Sequence, residues 1–388
     1  MADKSREFQV FVKPAGAVCN LRCTYCYYLE KCKLYPGSSA TMMSEDVLES
    51  YIRQHIEAST EKTIFFSWHG GEPLMAGMEF YRKAVEIQKR LKSEGKEIFN
   101  GIQTNGTLIN EVWCRFFLDE NFVVGISIDG PGDLHNRLRK NADRKGSLSQ
   151  VLKGYELLTR FGINTEILCV VSSVNVKFPL VVYDFFRQLG CRFITFLPLV
   201  VRDQNSPGEV SPETVNPDDF GTFLINVFDE WLEKDIGRIK VQIFEEALRS
   251  AFNQGHTLCI FKKECGGVPV VEHNGDFYAC DHFVDREHHF GNILEESLSS
   301  LLDSERQASF GRAKYLTLPV YCRKCEVLDM CNGECPKNRF MPTPDGEPGL
   351  NYLCSGYKKF FKHCIPFINI LKEVWKNHQF LTPQGFNT

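Results

Sequence analysis

The chain has 388 residues, 43% hydrophobic and 24% charged, an ordinary globular composition with room for two or three average domains or one large domain and an appendage. Its formal net charge of −4 gives no support to nucleic-acid binding, and no apolar run reaches the length of a membrane span. The opening Met1-Ala-Asp-Lys-Ser-Arg-Glu7 has no apolar signal-peptide core, so a cytoplasmic address is expected.

From residue 7 to about 235, strand-like and helix-like segments alternate. Strands are expected at 7–13, 63–68, 97–103, 122–128, 164–171 and 192–198. Each is short and rich in Val, Ile, Phe or Thr, and some run apolar without alternation, as strands covered on both faces do. Ser44 can cap a helix with Val47, Leu48, Tyr51, Ile52 and Ile56 on one stripe. Further helices are expected at about 77–93, 110–120, 147–161, 176–188 and 217–235. Six such βα units imply parallel strands with right-handed crossovers, as a doubly wound sheet or a partial barrel.

Chemistry-bearing residues collect where these strands end. The first leads to Cys19-x3-Cys23-x2-Cys26, three thiols with no local fourth. A structural zinc or a complete iron–sulfur cube normally takes four protein ligands, so either a distant fourth ligand or a non-protein one is needed. His69-Gly70-Gly71-Glu72-Pro73 follows the second strand, Gln103-Thr104-Asn105-Gly106 the third, Ser127-Ile128-Asp129-Gly130-Pro131 the fourth, and Val200 the sixth. Taken singly these are turns, and Asp129 reads as a turn cap. Their shared place at strand C-terminal ends is where α/β barrels and open sheets put active sites.

Beyond about 236 the alternation stops, apart from a helical stretch near 243–253. Cys259-x5-Cys265-x14-Cys280 encloses an Asn274-Gly275 dipeptide between apolar arms, a two-residue hairpin signal that would deliver Cys280 and Asp281 at its far end. Cys322-x2-Cys325-x5-Cys331-x3-Cys335 and Cys354 complete eight thiols, enough for two four-ligand sites of zinc or iron. Disulfides are rare in a cytoplasmic chain, so the sixteen cysteines read mainly as metal or redox ligands. Cys114 and Cys169 sit among apolar residues and are expected in the core. A tail stripe over about 354–374 is expected to pack on the barrel, and Asn377 to Thr388 show no periodicity.

Cys19-x3-Cys23-x2-Cys26, with Tyr25 before the last thiol, resembles the signature of the radical S-adenosylmethionine (SAM) enzymes. The resemblance implies a 4Fe–4S cluster on the three thiolates, its fourth iron chelated by SAM, and reductive cleavage of SAM to a 5′-deoxyadenosyl radical. It implies a partial (β/α)6 TIM-like barrel over residues 1–235. Gly70, Gly71 and Glu72 match the motif that receives the SAM amino group, and Ser127 and Arg139 match positions for its ribose and carboxylate. Val200 corresponds to a backbone contact to adenine, near which Tyr25 stacks.

The second cysteine field, residues 236–388 with a C-terminal helix, resembles the SPASM domain. There Cys259, Cys265, Cys280 and Cys335 would hold one auxiliary 4Fe–4S cluster and Cys322, Cys325, Cys331 and Cys354 another, three clusters in all. From Val12-Lys-Pro-Ala-Gly16 to Cys354-Ser-Gly-Tyr-Lys-Lys-Phe-Phe361 the chain is similar to the anaerobic sulfatase-maturating enzymes. That implies oxidation of a Cys or Ser in a sulfatase Cys/Ser-x-Pro-x-Arg segment to Cα-formylglycine, with an electron donor such as flavodoxin or ferredoxin. Asp281 would take the proton of the target thiol or hydroxyl. Tyr28, Gln103 and His69, which stands where the family often has Gln, would line the substrate mouth. Other peptide chemistry, such as thioether cross-linking, and a non-enzymatic zinc scaffold are the competing readings.

Overall fold

A computed structural model describes residues 8–36, 42–203, 206 and 209–381. Six strands, β1 (Phe11–Val12), β2 (Thr63–Trp68), β3 (Glu97–Thr104), β4 (Phe122–Ser127), β5 (Thr165–Val171) and β6 (Phe193–Pro198), pair in sequence order and all in parallel. A doubly wound sheet reverses its strand order at a switch point, and this one does not. The fold is therefore the partial barrel with helical crossovers.

Strand positions follow the sequence pattern except at the start. The expected strand at 7–13 is a two-residue ladder, with residue 7 outside the described residues. Gln9, Phe11 and Lys13 nevertheless donate their N–H groups to the carbonyls of Gly267, Pro269 and Val271 at 2.8, 2.9 and 2.9 Å. These bonds tie the first strand to the second cysteine field. The sheet also runs on past the point where the alternation stops. β7 (Lys240–Val241) joins β6, and β8 (Val270–Val271) joins the free side of β1, both parallel; β9 (Asp276–Tyr278) and β10 (His289–Asn292) continue antiparallel.

The β8–β9 hairpin corrects one expectation. Gly275 N–H donates to Glu272 C=O at 2.9 Å with Gly275 at φ +89°, so the loop is the three residues 273–275 and not the Asn-Gly pair alone. The helices begin where capping chemistry allows. Ser44 Oγ accepts from Val47 N–H at 3.3 Å and Asn110 Oδ1 from Trp113 N–H at 3.1 Å. The helix expected from 176 starts instead at Pro179, because the residue before a proline is driven out of helical space and Phe178 has ψ +50°.

The C-terminal helix Cys354–Leu381 is longer than the expected 354–374, and residues 382–388 lie outside the described residues. It crosses the helix Pro217–Lys234 at a pair of glycines. A Cβ on Gly356 would lie 2.1 Å from the Pro217 carbonyl oxygen, and one on Gly221 would lie 2.7 Å from that of Gly356. Around this crossing Phe220 meets Tyr357 and Phe228 meets Phe360 edge to face. Tyr357, Phe360, Phe361 and Ile368 are buried, so the tail stripe does pack on the barrel. Cys114, Cys169, Cys191 and Cys364 are buried thiols, while Cys32 is exposed. No helix among the described residues is long and apolar enough to cross a membrane.

Candidate active site

The loop that carries the three-thiol run is held by backbone approach. Gly71 N–H donates to Gly16 C=O and Glu72 N–H to Val18 C=O, each at 2.8 Å. A Cβ on Gly71 would stand 2.2 Å from the Val18 carbonyl oxygen, so only glycine lets the two loops meet. Gly71→Ala is accordingly expected to displace the thiol loop. Purified variant protein should hold clearly less iron and acid-labile sulfide than wild type, while the far-ultraviolet circular dichroism spectrum stays the same.

Glu72 is fully buried. Its Oε1 accepts from the Thr104 hydroxyl at 2.7 Å and Leu74 N–H at 3.1 Å, and its Oε2 from Asn105 N–H at 2.7 Å. Burial raises the carboxyl to about 7, with those donors pulling it down. Glu72 thus clamps the end of β3 to the glycine turn. Asn105 then reaches Cys19 Sγ at 3.7 Å, and Leu21 N–H donates to the same sulfur at 3.3 Å. Burial pushes the Cys19 thiol up to about 11 and the Cys23 thiol up to about 12, the latter opposed chiefly by the nearby Arg139 guanidinium. Thiols so placed ionise readily only when a cationic partner such as iron supplies the compensating charge.

At the end of β4, Asp129 is a hub where the sequence suggested a turn cap. Arg139 donates to it through Nε at 2.8 Å and Nη2 at 3.2 Å, Tyr25 through its hydroxyl at 2.7 Å, and Val170 through N–H at 2.9 Å. The guanidinium lies 5.5 Å from the Tyr25 ring centre. Arg139 and Tyr25 are thereby fixed side by side next to Cys23. Ser127 Oγ accepts from Gln103 Nε2 at 3.2 Å across neighbouring strand ends. The Val200 carbonyl accepts from Lys337 Nζ at 3.0 Å.

The second cluster of charge centres on Asp281. Lys13, 2% exposed and one residue past β1, places Nζ 2.5 Å from Oδ1; the Tyr27 hydroxyl donates to Oδ2 at 2.5 Å. Burial pushes the Asp281 carboxyl up, but the Lys13 ammonium, His282 and the Tyr27 hydroxyl outweigh it and hold the group well below the usual range. His69 stacks on Phe11 with ring centres 3.9 Å apart, and burial, helped by Lys13, lowers it to about 3, so its imidazole is neutral. Tyr28, expected at the mouth, is only 3% exposed; its hydroxyl bonds to Glu272 of the β8–β9 hairpin and anchors that hairpin to the thiol loop. Lys13, Tyr27 and Glu272 join these contacts although no sequence motif points to them, and Asp129, read as a turn cap, holds Arg139 and Tyr25.

The eight clustered thiols of the second cysteine field gather as two sets. Cys259, Cys265, Cys280 and Cys335 line one small pocket, and Cys322, Cys325, Cys331 and Cys354 line another. Among the described residues no three His, Cys, Asp or Glu side chains come together closely enough to hold a single metal ion. Four thiols lining one pocket make a complete protein ligand set for one inorganic centre.

A partial barrel with three thiols on its first strand-end loop and two four-cysteine cavities beyond it defines a radical SAM enzyme with an iron–sulfur SPASM module. Residues 14–177 match the radical SAM superfamily and residues 259–326 the SPASM iron–sulfur cluster-binding domain. The chain is 43% identical to a serine-type anaerobic sulfatase-maturating enzyme of Bacteroides thetaiotaomicron, with 97% of this chain and 94% of the relative covered. It is 33% identical to a cysteine-type anaerobic sulfatase-maturating enzyme of Clostridium novyi, over 93% of this chain and 96% of the relative. The solved structure of native anSMEcpe with bound AdoMet (that is, SAM) and Kp18Cys peptide superposes with a TM-score of 0.85 at 30% identity, covering 94% of this chain and 99% of that one. The chain belongs to the anaerobic sulfatase-maturating enzymes.

Proposed function

We propose that the enzyme oxidises a Cys or Ser side chain within a sulfatase Cys/Ser-x-Pro-x-Arg segment to Cα-formylglycine, with Asp281 as the base. One observation carries this reading. Asp281, the residue after Cys280, is held jointly by Lys13 from the barrel and Tyr27 from the residue after Cys26. A carboxylate is thus fixed between the three-thiol loop and a four-thiol cavity, where hydrogen abstraction and electron removal would have to meet.

In this reading residues 1–235 form the radical-generating half and 236–388 the auxiliary-cluster half. Cys19, Cys23 and Cys26 hold one 4Fe–4S cluster, and the two four-cysteine sets hold two more. Gly70, Gly71 and Glu72 offer backbone and carboxylate to the SAM amino group, Arg139 its remaining guanidinium donors to the carboxylate, and Ser127 its hydroxyl to the ribose. Tyr25 and the Val200 backbone border the adenine. Bound together, cluster and SAM supply a carbon radical able to remove hydrogen from the target's Cβ.

Asp281 accepts the proton that leaves the target hydroxyl or thiol. Lys13 keeps that carboxylate ionised, and neutral His69 and Gln103 border the peptide. A serine target yields the aldehyde directly, whereas a cysteine target yields a thioaldehyde that water hydrolyses. A cytoplasmic address and a small one-electron donor of the flavodoxin or ferredoxin kind complete the reading.

The test is anaerobic. Iron-loaded protein, SAM, a reductant and peptides bearing Cys-x-Pro-x-Arg or Ser-x-Pro-x-Arg are incubated and analysed by mass spectrometry. Formylglycine together with 5′-deoxyadenosine is expected from at least one peptide. Deoxyadenosine with both peptides unchanged would move the substrate assignment to other peptides, and absence of both products would overturn the proposal.

A further inference from the structure

One buried cation has no part in that scheme. Lys314, on the helix Glu305–Leu316, is 1% exposed. Its Nζ donates to the carbonyls of Cys259, Ile260 and Lys262 at 2.9, 2.7 and 2.5 Å. All three belong to the loop between Cys259 and Cys265, which walls the four-cysteine pocket next to Asp281. An ammonium has three N–H donors and a neutral amine only two, so three acceptors call for the charged form. Its hydrogen-bond partners are neutral carbonyls, and a buried cation needs an anion nearby. Four thiolates around an iron–sulfur core carry such net negative charge.

The two cavities differ in this respect. Arg339 donates to the Lys314 carbonyl at 2.5 Å and faces both sets, near Cys265 on one side and Cys322 and Cys331 on the other. Lys337 lies beside Cys335, and buried Glu334 takes hydrogen bonds from Asn338 and Asn351 between the sets. The lysine lining the other cavity is Lys358, only half-buried above the Tyr321 ring. Lys314 acts on the Asp281-side cavity alone.

We propose that Lys314 is a positioning residue that raises the reduction potential of the cluster held by Cys259, Cys265, Cys280 and Cys335 above that of the other auxiliary cluster. The proposal rests on the cluster assignment above. It gives the substrate's electron a first destination. The electron that the Cβ radical loses as Asp281 takes the proton would pass to the group held by Cys259, Cys265, Cys280 and Cys335, and the external one-electron carrier would later remove it.

Redox titration of the iron-loaded chain, followed by electron paramagnetic resonance, tests this without any peptide. Cys259→Ala and Cys325→Ala proteins, each lacking one auxiliary site, assign the signals. In wild type the Asp281-side cluster should reduce first. In Lys314→Met, at the poise that half-reduces this cluster in wild type, its ratio of oxidised to reduced form should rise about tenfold or more. The other auxiliary cluster should not move, and Lys314→Arg should restore the wild-type value. An unchanged potential, or an equal shift of both clusters, overturns the proposal. Should Lys314→Met lose its iron, the wild-type order decides, and reduction of the other auxiliary cluster first refutes it. Because no peptide enters the titration, a wrong substrate assignment leaves this result untouched.

Discussion

Asp281→Asn should remove formylglycine formation by roughly two to four orders of magnitude, the usual loss when a positioned general base is deleted. The same protein should still cleave SAM. Asparagine keeps the shape: its one amide oxygen can still accept from Lys13 Nζ, and its NH2 can donate to the Tyr27 oxygen, where the two now hold the carboxylate oxygens at 2.5 Å each. What it loses is the ability to take a proton. A carboxylate pulled this far below its usual range is a poor base toward an ordinary alcohol. Proton transfer becomes favourable only as the radical left by hydrogen abstraction at Cβ also gives up its electron, because the O–H of the resulting protonated aldehyde is strongly acidic. The order is therefore abstraction first and deprotonation second, and SAM cleavage without product is the expected signature of the variant. Deoxyadenosine and formylglycine measured in one reaction by mass spectrometry check it. Equal loss of both would make Asp281 a structural residue, with the buried Lys13 ammonium left uncompensated as the cause.

The barrel was legible because its signals are local. Apolar strands of six to eight residues, Ser44 and Asn110 caps, and glycine-rich turns all act within a few residues of chain. The cysteine sets were also legible, since thiol spacing carries the ligand pattern, but which thiols share a cavity came from resemblance. Long-range pairing was hidden. Nothing near Val270 says that it adds to the free side of a strand some 260 residues earlier, yet that pairing carries Asp281 to Lys13. The burial of Lys13 depends on the β8–β9 hairpin, whose signal at Asn274-Gly275 says nothing of which strand it joins. Tyr28 was placed at the mouth by its nearness to the thiols, but Glu272, 244 residues away, draws its hydroxyl inward. The helix start at Pro179 was different, because the proline rule was available in the sequence and should have decided it.

Asp129 should be the most costly side chain to remove outside the cysteines. It is 2% exposed and takes two bonds from Arg139, one from Tyr25 and one from Val170 N–H. Asp129→Ala would leave a buried guanidinium without its anion, a loss of about 3–5 kcal/mol for breaking a buried pair, and Tm should fall on the order of 5 °C. Stability alone would not separate that from a role in binding. A double replacement does, because swapping a whole buried pair for apolar side chains of similar volume often costs little or nothing. Asp129→Leu with Arg139→Met should therefore regain most of the lost Tm yet remain unable to bind SAM, since the cation proposed for its carboxylate is gone. Differential scanning calorimetry and equilibrium dialysis with labelled SAM, on the same iron-loaded preparations, give the two readouts. Recovery of stability and SAM binding together would show that Arg139 serves the fold alone. Recovery of stability without SAM binding would mean that Asp129 is there to hold, beside Cys23, a guanidinium whose remaining donors face the ligand.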